Sequence, residues 1–123
     1  MAHPPRTHED YQIGIICALA TEKAAMVAML DELHPRLKKQ DGDDNDYTLG
    51  QIGVHNVVIA CLPAGLTGNG PAAIIANNMR RSFPINFGLI VGVGGGVPSK
   101  KDDIRLGDVV VSQPTRSYGG VVQ

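Results

Sequence analysis

The chain has 123 residues, 43% of them hydrophobic and 19% charged, with a formal charge of −1 at neutral pH. That is enough apolar side chain for the core of one soluble domain, and so balanced a charge offers no electrostatic footprint for nucleic acid. No apolar run approaches the ~20 residues a membrane helix needs, which excludes a helical membrane span.

Residues 1–10 are polar and proline-bearing and are expected to be disordered, with the domain proper running over 11–123. The start, MAHPPRTHEDYQ, lacks the apolar stretch of a secretory signal. Residues 11–18 (YQIGIICA) are uncharged and β-branched, as a strand buried on both faces would be. Thr21 can cap a helix running to about Leu33, where His34-Pro35 would stop it. Residues 36–46 carry the acidic run QDGDDND, read as a solvated loop. It lacks the spacing and closing glutamate of a calcium loop. Residues 47–52 and 54–62 read as two strands joined tightly around Gly53. Each of the two cysteines, Cys17 and Cys61, sits inside an apolar run. They suit buried free thiols in a reducing compartment, so a cytoplasmic, intracellular location is expected.

A glycine-rich link then leads to a helix over 71–82, with Pro71 at its first position. Residues 87–93 read as a central strand, GGGVP (94–98) follows it, and the apolar run Val109-Val110-Val111 reads as a further buried strand. Strand–helix–strand order with short links predicts an α/β domain: a twisted, mixed, largely parallel sheet flanked by helices. Two helices cover a sheet of about five strands thinly, so the chain reads as truncated.

Neither glycine cluster makes a nucleotide fingerprint. After Gly92 and Gly94 a dinucleotide motif needs glycine or alanine at 97, where Val97 stands. Gly65 and Gly70 have the outer spacing of a P-loop, but Pro71-Ala72 replaces its lysine and hydroxyl residue. What remains is three loops, 18–22, 65–70 and 92–97, each after a predicted strand and converging on one sheet edge. Glu22 would project from the first turn of its helix into that crevice, where a carboxylate can orient water or a sugar hydroxyl. The same residue could simply complement the positive end of the helix, and spacing does not separate the two readings. The four histidines read as surface residues, and so do Arg80, Arg81, Arg105 and Arg116.

Residues 11–19 (YQIGIICAL), 65–73 (GLTGNGPAA), 91–97 (VGVGGGV) and 106–112 (LGDVVVS) together resemble the purine and uridine phosphorylase superfamily, which includes the methylthioadenosine–adenosylhomocysteine nucleosidases. The THEDY opening and VGVGGGVP resemble its fungal branch, where such a domain stands at the front of larger ankyrin or nucleotide-switch proteins. The resemblance implies cleavage of the N-glycosidic bond of purine nucleosides. Glu22 matches the carboxylate with which nucleosidases hold the attacking water; Gly94 and Gly95 match the backbone loop beside ribose and base, and the backbone through Gly96 would line the site. Val93 falls where a serine or threonine usually helps to hold phosphate, and Ala18 opens the first of the three loops. A glutamate in place of the phosphate arginine and a valine in place of the hydroxyl both disfavour an anion site. Hydrolysis is therefore expected over phosphorolysis. The catalytic residue is then Glu22 and the substrate-lining residues Ala18, Val93, Gly94, Gly95 and Gly96. The ligand is a purine nucleoside or nucleotide, with water or inorganic phosphate as co-substrate and no metal or other cofactor. The resemblance also allows a homo-oligomer. The family's base-protonating aspartate and ribose-gripping methionine–glutamate pair come from later segments, so this stretch is expected to be catalytically incomplete. The alternatives are a nucleoside-sensing module of a multidomain protein, or an inactive relic.

Overall fold

The computed structural model describes residues 6–63, 65–66, 68–94, 99–101 and 103–112. They divide into two compact units, one ending at Gly92 and the other beginning at Val93.

The first unit holds strands β1 (Ile13–Cys17), β2 (Glu32–Leu33), β3 (Tyr47–Ile52), β4 (His55–Cys61) and β5 (Phe87–Ile90), with helices α1 (Ala20–Ala28) and α2 (Asn69–Ser82). They form one mixed sheet in the order β2-β3-β4-β1-β5. Its parallel part is β4-β1-β5; β3 and β2 add on antiparallel. This is the expected α/β architecture.

Uncharged β1 is buried on both faces because each face has its own helix. Ile15 and Cys17 join Val57 and Ile59 beneath Met26, Val27 and Leu30. On the other face Ile16, Val58 and Ala60 pack with Ile75, Met79, Tyr11 and Phe83. The β1–β4 connection carries α1. The β4–β5 connection carries α2 and steps over β1 to its far side.

Several boundaries differ from those expected. The N-terminal stretch carries a 3₁₀ turn over His8–Asp10, where the Thr7 N–H donates to Asp10 Oδ2 at 2.7 Å. Helix α1 stops at Ala28 rather than near Leu33, because the next residues find a ladder partner. The Asp31 N–H donates to the Gln51 carbonyl at 2.8 Å and the His34 N–H to the Leu49 carbonyl at 2.9 Å. A short helix gains little from each further turn, so strand pairing wins there. His34 is not a surface residue either: it is buried, with Nδ1 2.8 Å from the Tyr11 hydroxyl. Helix α2 begins at Asn69, two residues early, with Gly68 at the cap (φ +98°). Pro71 then falls within the first turn, where its missing N–H has no helical partner to lose.

The acidic run 41–46 is only partly solvated. Asp43 is buried and accepts hydrogen bonds from the Ser82 and Tyr47 hydroxyls and, at 2.9 Å, from the Asn45 N–H. Strand β5 is shorter than expected, and Val109, Val110 and Val111 form no strand. They belong to the second unit and are 88%, 71% and 73% exposed. An apolar run becomes a strand only where a ladder takes its N–H and C=O groups. Within the second unit the Arg105 N–H donates to Asp108 Oδ2 at 2.9 Å across a turn, and Arg105 pairs with Asp103 at 2.9 Å.

Gly50 shows how tightly β2 docks. A Cβ there would lie 2.8 Å from the Glu32 carbonyl oxygen and 2.5 Å from Leu30 Cδ1. The backbone oxygen cannot step aside without unpairing the edge. Gly50→Ala is therefore expected to cost about 1–3 kcal/mol, read as a lower urea midpoint with faster amide exchange in β2. Gly14 faces an equally close atom, but it is the flexible Met79 sulfur at 2.5 Å, so Gly14→Ala should cost less.

Candidate functional site at the carboxyl edge of the parallel strands

The three parallel strands end together. Cys17 of β1 is level with Cys61 of β4, and Ile16 with Ile90 of β5. Just past those pairs, the Leu62 N–H donates to the Cys17 carbonyl and the Val91 N–H to the Ile16 carbonyl, each at 2.9 Å. The loops that follow β1, β4 and β5 therefore leave from one edge, as the spacing predicts. This is where open α/β sheets place ligands.

Glu22 stands at that edge. It is the third residue of α1 and the buried residue of that helix, 8% exposed. Its Oε1 accepts the Ala18 N–H at 3.1 Å and the Leu19 N–H at 2.9 Å. This is half of a capping box, since Leu19 at the cap has no side-chain acceptor to reciprocate. A carboxylate in the first turn also complements the helix dipole by ~0.3–1 kcal/mol. Capping accounts for Oε1 but not for the burial of the whole group. The other oxygen faces Gly92: a Cβ at Gly92 would lie 2.7 Å from Oε2 and 3.2 Å from the carboxyl carbon. A side chain there would have to displace the carboxylate from the space that glycine leaves open. Two positions seventy residues apart thus meet at the end of β1.

Of the residues singled out by sequence, Glu22 and Ala18 are brought together directly, Ala18 through its amide. Gly92 belongs to the expected third loop but was not among the singled-out residues. Its signal in the sequence is its place at the end of the apolar run that forms β5, an exposed edge strand rather than the buried central one expected. Val93 and Gly94 open the second unit and are exposed, Val93 at 88%. Gly95 and Gly96 lie outside the described residues.

The arginines expected at the surface are there where described. Arg80 and Arg81 are exposed, Arg81 donating to the Gly42 carbonyl at 3.2 Å, and Arg105 is exposed in its pair with Asp103. Arg116 lies outside the described residues. Beneath the edge sit the cysteines: Cys17 fully buried and Cys61 half-buried, both free. Burial pushes the Cys17 thiol up, with Cys61 and Glu22 adding to the effect and Lys23 opposing it.

A groove of about 500 Å³ lies on the opposite face, between α2 and strands β1 and β5. Ile16, Ala72, Ala76, Met79, Gly88 and Ile90 line it, with Arg80. It is apolar and carries no carboxylate, so the chemistry of the edge is not found there. Among the described residues no group of three or more metal-ligating side chains comes together, and no helix is long and apolar enough to cross a membrane.

Compared with known proteins, the chain is similar to a nucleotide-binding leucine-rich repeat (NLR)-like protein of Hyaloscypha variabilis. The two are 53% identical over 122 residues, which is 98% of this chain and 12% of that protein. The chain therefore spans about an eighth of the relative it matches. No family model matches, and no solved structure matches.

Proposed function

We propose that this chain forms part of a purine nucleoside site whose reacting centre lies at Glu22, and that its chemistry is hydrolysis of the N-glycosidic bond. The observation that carries the reading is the buried Glu22 carboxylate, held by two backbone amides at the carboxyl edge of β1 and set against Gly92. The four motifs that resemble the nucleoside phosphorylase and nucleosidase superfamily supply the substrate class.

In this mechanism the ribose gains positive charge as the base departs. A fixed carboxylate nearby stabilises that charge without reorganising. It also holds a water molecule and takes its proton as the oxygen bonds to the anomeric carbon, while the glycosidic electron pair leaves with the base. The amides of Ala18 and Leu19 fix the carboxylate rotamer, so the water is held in one place. A negative group at this position repels phosphate, which is why hydrolysis is favoured over phosphorolysis.

A second reading has its own support. The NLR-like relative is far longer than this chain, so the site could bind a nucleoside or nucleotide and report occupancy to other parts of such a protein without turnover. One pair of measurements separates the two. In a protein that carries this chain together with the later segments its site is expected to need, adenine release is followed from adenosine, a 5′-substituted adenosine and ATP, with and without phosphate, and binding of the same compounds is followed by calorimetry. Phosphate-independent release supports hydrolysis, and ribose 1-phosphate formation overturns it. Binding without release supports the sensing module. Neither binding nor release overturns both.

A further inference from the structure

We infer that Cys17 and Cys61 form a reversible dithiol–disulfide pair, a hydroperoxide-sensitive modification site beneath the carboxyl edge of β1 and β4. The two residues are Cα partners in the parallel ladder, and both are free thiols. In-register residues of neighbouring parallel strands point to the same face of the sheet, here the α1 face on which Cys17 packs. Adjacent strands run about 4.8 Å apart, inside the about 4.4–6.8 Å of Cα separation that a disulfide spans. The same spacing holds the Cβ atoms wider than the about 3.8 Å of a relaxed bridge. The bond would therefore be strained and easily reduced, which suits a reversible site rather than a permanent staple.

The exposures set the order of events. Cys61 is half-buried and within reach of a small oxidant, whereas Cys17 is 0% exposed. The Cys61 thiolate attacks one oxygen of hydrogen peroxide and the O–O bond breaks. This leaves a sulfenic acid at Cys61 and releases hydroxide, which takes up the proton lost by the Cys61 thiol and becomes water. The Cys17 sulfur then attacks the Cys61 sulfur; the S–O bond breaks, the S–S bond forms, and the hydroxide leaves as water with the Cys17 proton. Two thiols are oxidised and one peroxide is reduced to two waters. The bridge would draw the end of β1, which carries the Ala18 and Leu19 amides, toward the end of β4. The inference stands whether or not the Glu22 site turns over nucleosides, because its test reads sulfur chemistry alone.

The test treats the full chain with stoichiometric hydrogen peroxide, blocks remaining thiols, digests with trypsin without reduction and weighs the fragments. The expected product is a single species joining residues 7–23 to residues 40–80, lighter than the two thiol peptides by two hydrogens and separated by dithiothreitol. In Cys61→Ser, Cys17 is expected to stay reduced at the same peroxide dose, with an unchanged circular dichroism spectrum verifying the fold. Three results would overturn the pair: Cys61 ending as a sulfinic acid or a chain-to-chain disulfide while Cys17 stays free, neither thiol reacting, or Cys17 oxidising as fast in Cys61→Ser as in the parent.

Discussion

In a protein that carries this chain together with the later segments its site is expected to need, Glu22→Gln is expected to lower adenine release by ~10²–10⁴-fold, the usual contribution of a positioned general base, while the hydrogen bonds to Oε1 are kept. The reason lies in how the two carboxylate oxygens are used. Oε1 accepts from the Ala18 and Leu19 amides, and a glutamine oxygen can accept the same two hydrogen bonds. What the amide cannot do is take a proton from water or offset a cationic ribose. A drop in activity with an unchanged melting temperature assigns Glu22 to chemistry. A drop in both, or in stability alone, reduces it to a helix cap. Gly92→Ala gives the companion result from the other side of the contact. Its new Cβ would lie 2.7 Å from Oε2, so the carboxylate must move and activity must fall although the charge is kept. Full activity in Gly92→Ala would remove the reacting centre from this position.

Asp43→Ala is expected to destabilise the fold by about 2–4 kcal/mol. Its carboxylate gathers the Tyr47 hydroxyl at 2.5 Å, the Ser82 hydroxyl and the Asn45 N–H at 2.9 Å, and Asn45 in turn donates to the Ile75 carbonyl at 3.1 Å. Truncation leaves those donors facing an empty space and unties the loop before β3 from α2. The pH dependence follows from the charge. Burial alone would raise the Asp43 pKa. Hydrogen bonds from Ser82, Tyr47 and the Asn45 amide, with the Arg81 charge, outweigh it and hold the group below the usual aspartate value. The Tyr47 phenol is pushed up in turn by burial and by its bond to Asp43. A carboxylate depressed in the folded state stabilises fully above its unfolded pKa of about 3.9 and loses that contribution as pH falls through the folded value. The gap between parent and Asp43→Ala in urea unfolding should therefore be widest at neutral pH and narrow below about pH 4. A gap of equal size at both pH values would assign the effect to lost packing instead of charge.

Much of this architecture was legible in the chain. Runs such as IGIIC and HNVVIAC carry no charge, and a segment buried on both faces has no reason to alternate. The strands β1, β3 and β4, the body of α2 and the convergence of their loops on one edge follow from such runs and their punctuation. Glu22 was legible as a candidate because it is a carboxylate in the first turn of a helix at that edge, although its spacing alone fits a helix-dipole role equally well. Asp43 was not. Its neighbours Asp41, Asp44 and Asp46 are exposed as the acidic run suggests, and nothing local distinguishes the one whose partner, Ser82, stands thirty-nine positions away.

The sequence by itself determined which segments are apolar enough to be strands, where glycine and proline end them, and so the α/β class and its candidate edge. Tertiary structure alone decided that residues 32–33 leave the helical pattern to pair with β3, that His34 and Asp43 turn inward, and that Glu22 closes on Gly92. The physical reason is range. Burial preference is written residue by residue along the chain, whereas each of these outcomes depends on a hydrogen-bond partner or a free volume supplied by a distant segment.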